Sequence, residues 1–333
     1  MMFALRKTLK PPSVFTTIHR LISTVKLPEP ESSAAYDDLI TNAGRNRDFA
    51  AVRDLLNQRY TNGFFPTNNT FKFISTDLSV LNDVLQTLAD LNGKNIRIKS
   101  YESLISCLCK NHLIEEALRV AEVAAAGGAS AAEAVANAST FHPILSLLTR
   151  KKVFDRAWSV IEIMKSKKIA RDVTCYNYFL TAYSVAGDLR SNVDVLKKMA
   201  EEGIKADART YDALVLGACK GGKMDGAMAI MRKMEDDGVE AMYATYAHII
   251  VKLVNLDYCA QAVKFVMSYA GRDSKLDLHN FGLLAARLLD AKKVDETKCV
   301  LQEMVKRKLN LSDKLSNFYN QNVKVDSQTD ILD

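Results

Sequence analysis

TYDALVLGACKGGKMDGAMAIMRKMEDDG, residues 210–238, decides how the chain is read. Its middle spells GxxxxGK from Gly217 to Lys223, the frame of a phosphate-binding loop. Such a loop needs a Ser or Thr after the Lys to reach the metal, and a strand leading in. Met224 stands in the hydroxyl position. The residues around Gly217 also repeat at helical rather than strand spacing. Tyr211, Leu214, Val215 and Ala218 fall at i, i+3, i+4 and i+7, which puts them on one helical face. The stretch reads as two helices joined by a turn at Gly221–Lys223. The second helix carries Ala227, Ile230, Met231 and Met234 and closes near Gly238, where glycine takes the left-handed conformation that ends a helix.

The same layout returns every 35 residues. Aromatic anchors stand at Phe141, Tyr176, Tyr211, Tyr246 and Phe281, and Met164, Met199, Met234 and Met304 keep the interval with Tyr269 in the vacant place. Ala157, Ala227 and Ala262 share the register, as do Gly203 and Gly238. Each anchor opens a stripe, for example Tyr176, Phe179, Leu180 and Tyr183. Tyr101, 40 residues before Phe141, opens an earlier unit (101–140) whose five extra residues fall within 124–139. Tyr36 and Phe71 open two more, the Phe71 unit (71–100) being truncated. The expectation is an all-α protein, an α-solenoid of helix-turn-helix repeats over 33–311 with about eight units. Residues 312–333 are expected to form a capping helix with a loose acidic tail. One hairpin cannot bury both of its stripes, so stability must come from stacked neighbours.

Composition narrows the function classes. At 48% hydrophobic and 25% charged, with 6 Pro and 14 Gly in 333 residues, the chain is globular and suited to helices with short turns. No apolar run approaches the ~18 residues of a membrane span. The six Cys form no CxxC, which favours reduced, partly buried thiols over a metal site. Residues 1–28 carry Arg6, Lys7, Lys10, Arg20 and Lys26, no acid and six Ser or Thr. Spaced among Phe3, Leu5, Leu9, Phe15, Ile18 and Leu21, these cations read as a mitochondrial targeting presequence, or else as a disordered basic tail. The formal net charge is +6, and this leader holds five of the positive charges, so a chain from Glu29 onward carries about +1.

The 35-residue period and the segments TCYNYFLTAYSVAGDLRSNVDVLKKMAEEGIKAD (174–207) and 210–238 resemble pentatricopeptide repeats of the P-type, as found in plant-like organellar proteins. The tetratricopeptide period of 34 and its W…LG…Y signature do not fit. The resemblance spans roughly residues 33–311 and is strongest from 138 onward. It implies a right-handed superhelix that binds single-stranded RNA, one base per repeat. The partner would be a mitochondrial transcript or ribosomal RNA. It further implies that the base is read by the residue after each anchor together with the last residue of the repeat. These pairs are Asn177 with Asp207, His142 with Asp172, Asp212 with Met242, Ala247 with Asp277, Gly282 with Ser312, Asp37 with Thr67 and Glu102 with Asn137. Asn with Asp favours uracil; the other pairs depart from the favoured combinations. The small residue two before the anchor, which sandwiches the base, is replaced by Arg209 and His279 in two units. Nine residues after the anchor stand Arg45, Lys110, Arg150 and Lys220, where the family has a Lys that approaches the phosphates. Scattered solvated charges at helix ends are the other reading of these four cations.

No catalytic set emerges. The five His lie in different units or in the leader, and HExxH, GxSxG and a deaminase-like HxE with CxxC are missing. No cofactor and no metal ligand is expected, and an enzyme is disfavoured. Two roles remain. One is an RNA factor of the mitochondrial matrix that stabilises transcripts, assists processing or recruits ribosomes. The other is a structural subunit or adaptor of the mitochondrial ribosome, held by mitoribosomal proteins. A chloroplast or dual destination is the less favoured alternative.

Overall fold

The computed structural model describes residues 32–127 and 135–323. The expected presequence, 1–28, lies outside the described residues, as do 128–134 of the insertion and 324–333 of the tail. The chain divides into two compact units, Met1–Ala136 and Asn137–Asp333. Regular structure among the described residues is all helical, as the 3.6-residue periodicity requires. No helix there is long and apolar enough to cross a membrane.

In the first unit α1 (Ser33–Arg45) and α2 (Phe49–Thr61) form a hairpin. Ser32 and Asp48 cap them by accepting the Ala35 and Ala51 N–H groups, so each helix start satisfies an orphan donor. Tyr36 and Ile40 are buried, whereas Leu39, placed on the same stripe by spacing, is exposed. The Phe71 unit keeps a buried anchor but has no first α-helix. Two 3-10 turns, Lys72–Ser75 and Leu78–Val80, precede α3 (Leu81–Ala89). Asp77 breaks the helix by accepting both the N–H and the hydroxyl of Ser79, a local bond that competes with helical pairing. Phe73 then lies against α1 at Gly44, where a Cβ would come within 2.5 Å of its ring. Next come α4 (Lys94–Lys110) and α5 (Ile114–Ala125), with Tyr101, Leu104, Ile105 and Leu108 buried.

Among the described residues, the second unit contains five hairpins and a closing helix. The pairs are α6 (Ala138–Arg150) with α7 (Phe154–Ser166), α8 (Val173–Ala186) with α9 (Leu189–Glu201), and α10 (Ala208–Lys220) with α11 (Met224–Asp236). Then follow α12 (Tyr243–Asn255) with α13 (Cys259–Tyr269), α14 (Ser274–Asp290) with α15 (Val294–Lys306), and α16 (Asp313–Asn322). The first helices α6, α8, α10, α12 and α14 pack on one another in that order. Their anchors Phe141, Tyr176, Tyr211, Tyr246 and Phe281 are all buried, together with Met164, Met199, Met234 and Met304. Each such side chain contributes about 1.5–3 kcal/mol when removed from water, and only stacked neighbours remove it.

Both ends of each hairpin repeat as well. Lys152, Gly187, Gly222, Asp257 and Lys292 all have positive φ. The following amide bonds back five residues, as in Asp188 N–H to Tyr183 O and Lys223 N–H to Ala218 O, both 2.9 Å. That is a Schellman closure. The GxxxxGK frame is thus a helix end. Gly217 lies inside α10 and Gly222 makes the left-handed turn.

One connection departs from the register. α13 stops at Tyr269, and α14 runs 17 residues where α6, α10 and α12 run 13. The N-caps of α6, α8, α10 and α12 are Asn137, Asp172, Asp207 and Met242, each 35 apart. The next would be residue 277. Instead Asp273 accepts the Lys275 and Leu276 N–H groups and starts α14 one turn early.

Candidate nucleic-acid interface

Helices α6, α8 and α10 line a recess of about 510 Å³ containing Arg150, Asn177, Tyr178, Arg209 and Asp212. A second recess, of about 440 Å³, lies between α10 and α12 and contains Lys220, Ala247, His248 and Lys252. Every residue lining the second stands 70 positions after one lining the first: Lys220 after Arg150, Ala247 after Asn177, His248 after Tyr178. The two recesses are the same place in the repeat, two units apart. Each joins a post-anchor residue, a ring and a helix-end cation, the combination that can meet the edge, face and phosphate of a nucleotide.

Two expected reading pairs of the second unit are brought together, and in the first unit Thr67 Oγ1 donates to its partner Asp37 Oδ2 at 2.5 Å. Asn177 Nδ2 donates to Asp207 Oδ1 at 2.9 Å. Asp207 is also the N-cap of α10, accepting the Thr210 N–H at 2.8 Å. Burial alone would raise its pKa, but the donors from Thr210 and Asn177 outweigh that and hold the carboxyl below its ordinary value. His142 Nε2 lies 3.0 Å from Asp172 Oδ1, and Asp172 caps α8 through the Cys175 N–H. The pKa of Asp172 is lowered in the same way, burial being outweighed by the bonds from Cys175 and His142. The His142 ring also meets Tyr178 edge-on, centroids 5.8 Å apart.

Asp212 with Met242 and Ala247 with Asp277 share no hydrogen bond, although Asp212 and Met242 line the same recess. Met242 offers no polar atom, and Asp212 turns to the hydroxyl of Thr245, 2.8 Å away, with His248 at 3.6 Å. Asp277 does not stand at a helix start. The early opening of α14 places it inside the helix, buried, where it accepts the Gly271 N–H at 2.9 Å with Arg307 at 3.7 Å.

Thr residues one before an anchor were not singled out by spacing, yet they complete these clusters. Thr70, Thr210 and Thr245 are fully buried and donate to Asp37, Asn177 and Asp212, each 33 residues earlier, at 2.6, 2.7 and 2.8 Å. The signal was in the register: Thr70, Thr140, Thr210 and Thr245 each directly precede an anchor. Cys175 occupies this place in the preceding unit. With His142 and Asp172 it forms the group of possible metal ligands among the described residues, their ligand atoms within 4.8 Å. Burial pushes the Cys175 thiol up to about 12, and Asp172 is engaged as a cap, so the cluster reads as the same capping arrangement with sulfur replacing the Thr hydroxyl.

The four predicted cations are all exposed at the last turns of first helices. Arg45 and Lys110 belong to the first unit; Arg150 and Lys220 belong to the second and line the recesses. At the same register α8, α12 and α14 carry Val185, Asn255 and Asp290, and Asp290 is paired with Lys314 at 2.6 Å. The positive charge lining the two recesses comes from Arg150 and Lys220 with Lys152, Arg209 and Lys252, a set that spacing alone did not gather.

A family model described as pentatricopeptide repeat-containing protein matches residues 74–199, and one described as PPR repeat matches residues 202–235. A mitochondrial pentatricopeptide repeat-containing protein of Arabidopsis thaliana is 46% identical over 316 residues, covering 91% of this chain and 88% of the relative. A second mitochondrial Arabidopsis protein of that description is 44% identical over 311 residues, covering 92% and 87%. Among solved structures, a pentatricopeptide repeat protein in complex with an 18-nucleotide RNA element aligns at TM-score 0.48 and 17% identity, covering 92% of this chain and 43% of that one.

Proposed function

The chain belongs to the pentatricopeptide repeat family, and we propose that it binds single-stranded RNA in the mitochondrial matrix, acting by binding rather than by catalysis. The observation that carries this is the recurrence of one recess at a 70-residue step, with Arg150 and Asn177 in the first copy and Lys220 and Ala247 in the second. A recess that recurs with the repeat suits a polymer ligand whose units also recur, and its helix-end cations suit a phosphate backbone. The mitochondrial names of both Arabidopsis relatives and the acid-free leader support the location. In that role the protein occupies a transcript and thereby protects it, aids its processing or brings it to the ribosome.

The test is fluorescence anisotropy with a labelled uridine-containing single strand across a salt series. The expected result is salt-dependent binding in which Arg150→Ala and Lys220→Ala each reduce the slope of log K against log salt by about 0.7. Unchanged affinity and slope in both variants would remove the phosphate assignment. No binding by the wild-type chain to any single strand would remove the reading itself.

A further inference from the structure

We infer that Thr210 is a specificity-determining positioning residue: its hydroxyl orients the Asn177 amide, so that this repeat meets a base with an N–H donor. The inference rests on the RNA-binding reading above and adds a residue that does not itself touch the base.

An Asn side chain has two N–H donors and two carbonyl lone pairs. In α8 one donor goes to Asp207 Oδ1 at 2.9 Å, and the carbonyl accepts the Thr210 hydroxyl at 2.7 Å. Thr210 Oγ1 and Asp207 Oδ1 are themselves 2.9 Å apart, so the two anchors face one edge of the amide together. The Asp207 N–H donates to Thr210 Oγ1 at 3.2 Å, which fills one of its lone pairs, and of the two oxygens within reach of the hydroxyl proton Asn177 Oδ1 at 2.7 Å is nearer than Asp207 Oδ1 at 2.9 Å. The second Asn177 N–H remains free of these anchors, and Asn177 lines the recess.

Asp207 alone would leave the orientation open, because a carboxylate oxygen accepts either of the two N–H groups. The two choices send the carbonyl in different directions. Thr210 removes that freedom by holding the carbonyl as well. A pinned outward N–H favours a base carbonyl, as at position 4 of uracil, over the exocyclic amine that cytosine has there. The device recurs. Thr70 and Thr245 hold Asp37 and Asp212 by the same 33-residue bond, but those residues carry no amide to orient.

The test is selection from a randomised single-stranded RNA pool with the full chain and with Thr210→Val, Thr210→Cys and Thr210→Ser. Thr210→Cys uses a residue the fold already holds at Cys175, and Trp158 fluorescence reports folding of each variant. The expected result is one wild-type position enriched in uracil. At that position Thr210→Val and Thr210→Cys lose about five- to tenfold of the preference over cytosine, with affinity for the pool and its salt slope retained. Thr210→Ser restores the preference. An unchanged letter in both the Val and Cys variants overturns the role of Thr210 while leaving RNA binding intact. A wild-type chain that binds RNA and enriches no letter also overturns it. A wild-type chain that binds no RNA overturns the reading on which it rests.

Discussion

Arg59 Nη1 reaches Asp37 Oδ1 at 2.7 Å across the first hairpin, with the arginine side chain wholly buried. Arg59 stands in the register of Met164, Met199 and Met234, and Asp37 in that of Asn177. The first unit has thus replaced an apolar plug by a charge that engages its own post-anchor residue. Thr67, Thr70 and the Ser33 carbonyl complete the cluster, but Arg59 Nε has no hydrogen-bond partner among the described residues. Removing one member of a buried pair is far costlier than replacing both. Arg59→Ala should therefore lose about 3–5 kcal/mol, whereas Asp37→Asn with Arg59→Met, which gives the hairpin the residues of the Tyr176 unit, Asn177 and Met199, should come within about 1 kcal/mol of wild type. Urea unfolding with hydrogen exchange on α1 and α2 measures both. Equal losses in the single and double variants would show that the pair is not what holds this hairpin.

The glycines of the opening stretch should respond in three different ways. At Gly217 a Cβ would sit 2.8 Å from Ser184 Oγ and 3.2 Å from Leu189, where α10 approaches α8 and α9. Gly217→Val should cost about 1–3 kcal/mol through overpacking. Gly222 has φ +69° with open space around it, so Gly222→Ala should cost about 1 kcal/mol by backbone strain alone. Gly226 lies inside α11 with only Lys223 Cβ nearby, at 3.6 Å, and Gly226→Ala should stabilise by about 0.5–1 kcal/mol. Thermal melts order the three. A phosphate-binding loop would predict nothing about Gly226 and a loss of nucleotide binding at Gly217.

The hairpins from α6 to α11 were legible because every determinant shares one period: anchor, buried Met, left-handed closure and capping residue. Where one determinant left the register, pattern alone misplaced the element. Tyr269 marked the irregular unit, but spacing gave no sign that Asp273 would cap α14 a turn early and carry Asp277 inside. The Phe71 unit looked truncated, yet only the local bonds of Asp77 to Ser79 explain its 3-10 turns. The expected reading pairs were placed by register, whereas Tyr178, Lys152 and Lys252 join a recess only once two helices are packed. The Thr residues before the anchors lay between these cases. Their spacing was visible, but the bond 33 residues back depends on the stacking of one hairpin on the next.

Acid should weaken the second unit through its capping carboxylates. Asp172 and Asp207 both have folded pKa values below the ordinary 3.8, because donors from the capped helices and from His142 or Asn177 outweigh burial. A depressed folded pKa means that the unfolded chain binds more protons in that range. The contribution is therefore fully present above 3.8 and is lost as pH falls through the lower folded values. Trp158, stacked on Phe179 at 4.1 Å, reports the transition. Stability should be level from about pH 8 to 5 and decline below, less steeply in Asp207→Asn, which cannot take up that proton. An equal slope in the variant would remove Asp207 from the transition.

Thiol chemistry can test the fold and the interface together. Cys299 is exposed, and Cys107, Cys109, Cys175, Cys219 and Cys259 are buried. Burial pushes the Cys219 thiol up to about 11, with Lys252 opposing. Since the thiolate is the nucleophile, buried thiols of raised pKa react only through opening. Iodoacetamide at pH ~8 should modify Cys299 first, with the other five following only as the chain opens. Cys219 also lines the second recess beside Lys220. RNA seated there should slow its alkylation further while leaving the rate at Cys299 unchanged, a difference read by peptide mass spectrometry. Equal protection of both cysteines would point to general stabilisation of the chain. Protection of neither, with RNA bound, would place the ligand away from the recess of α10 and α12.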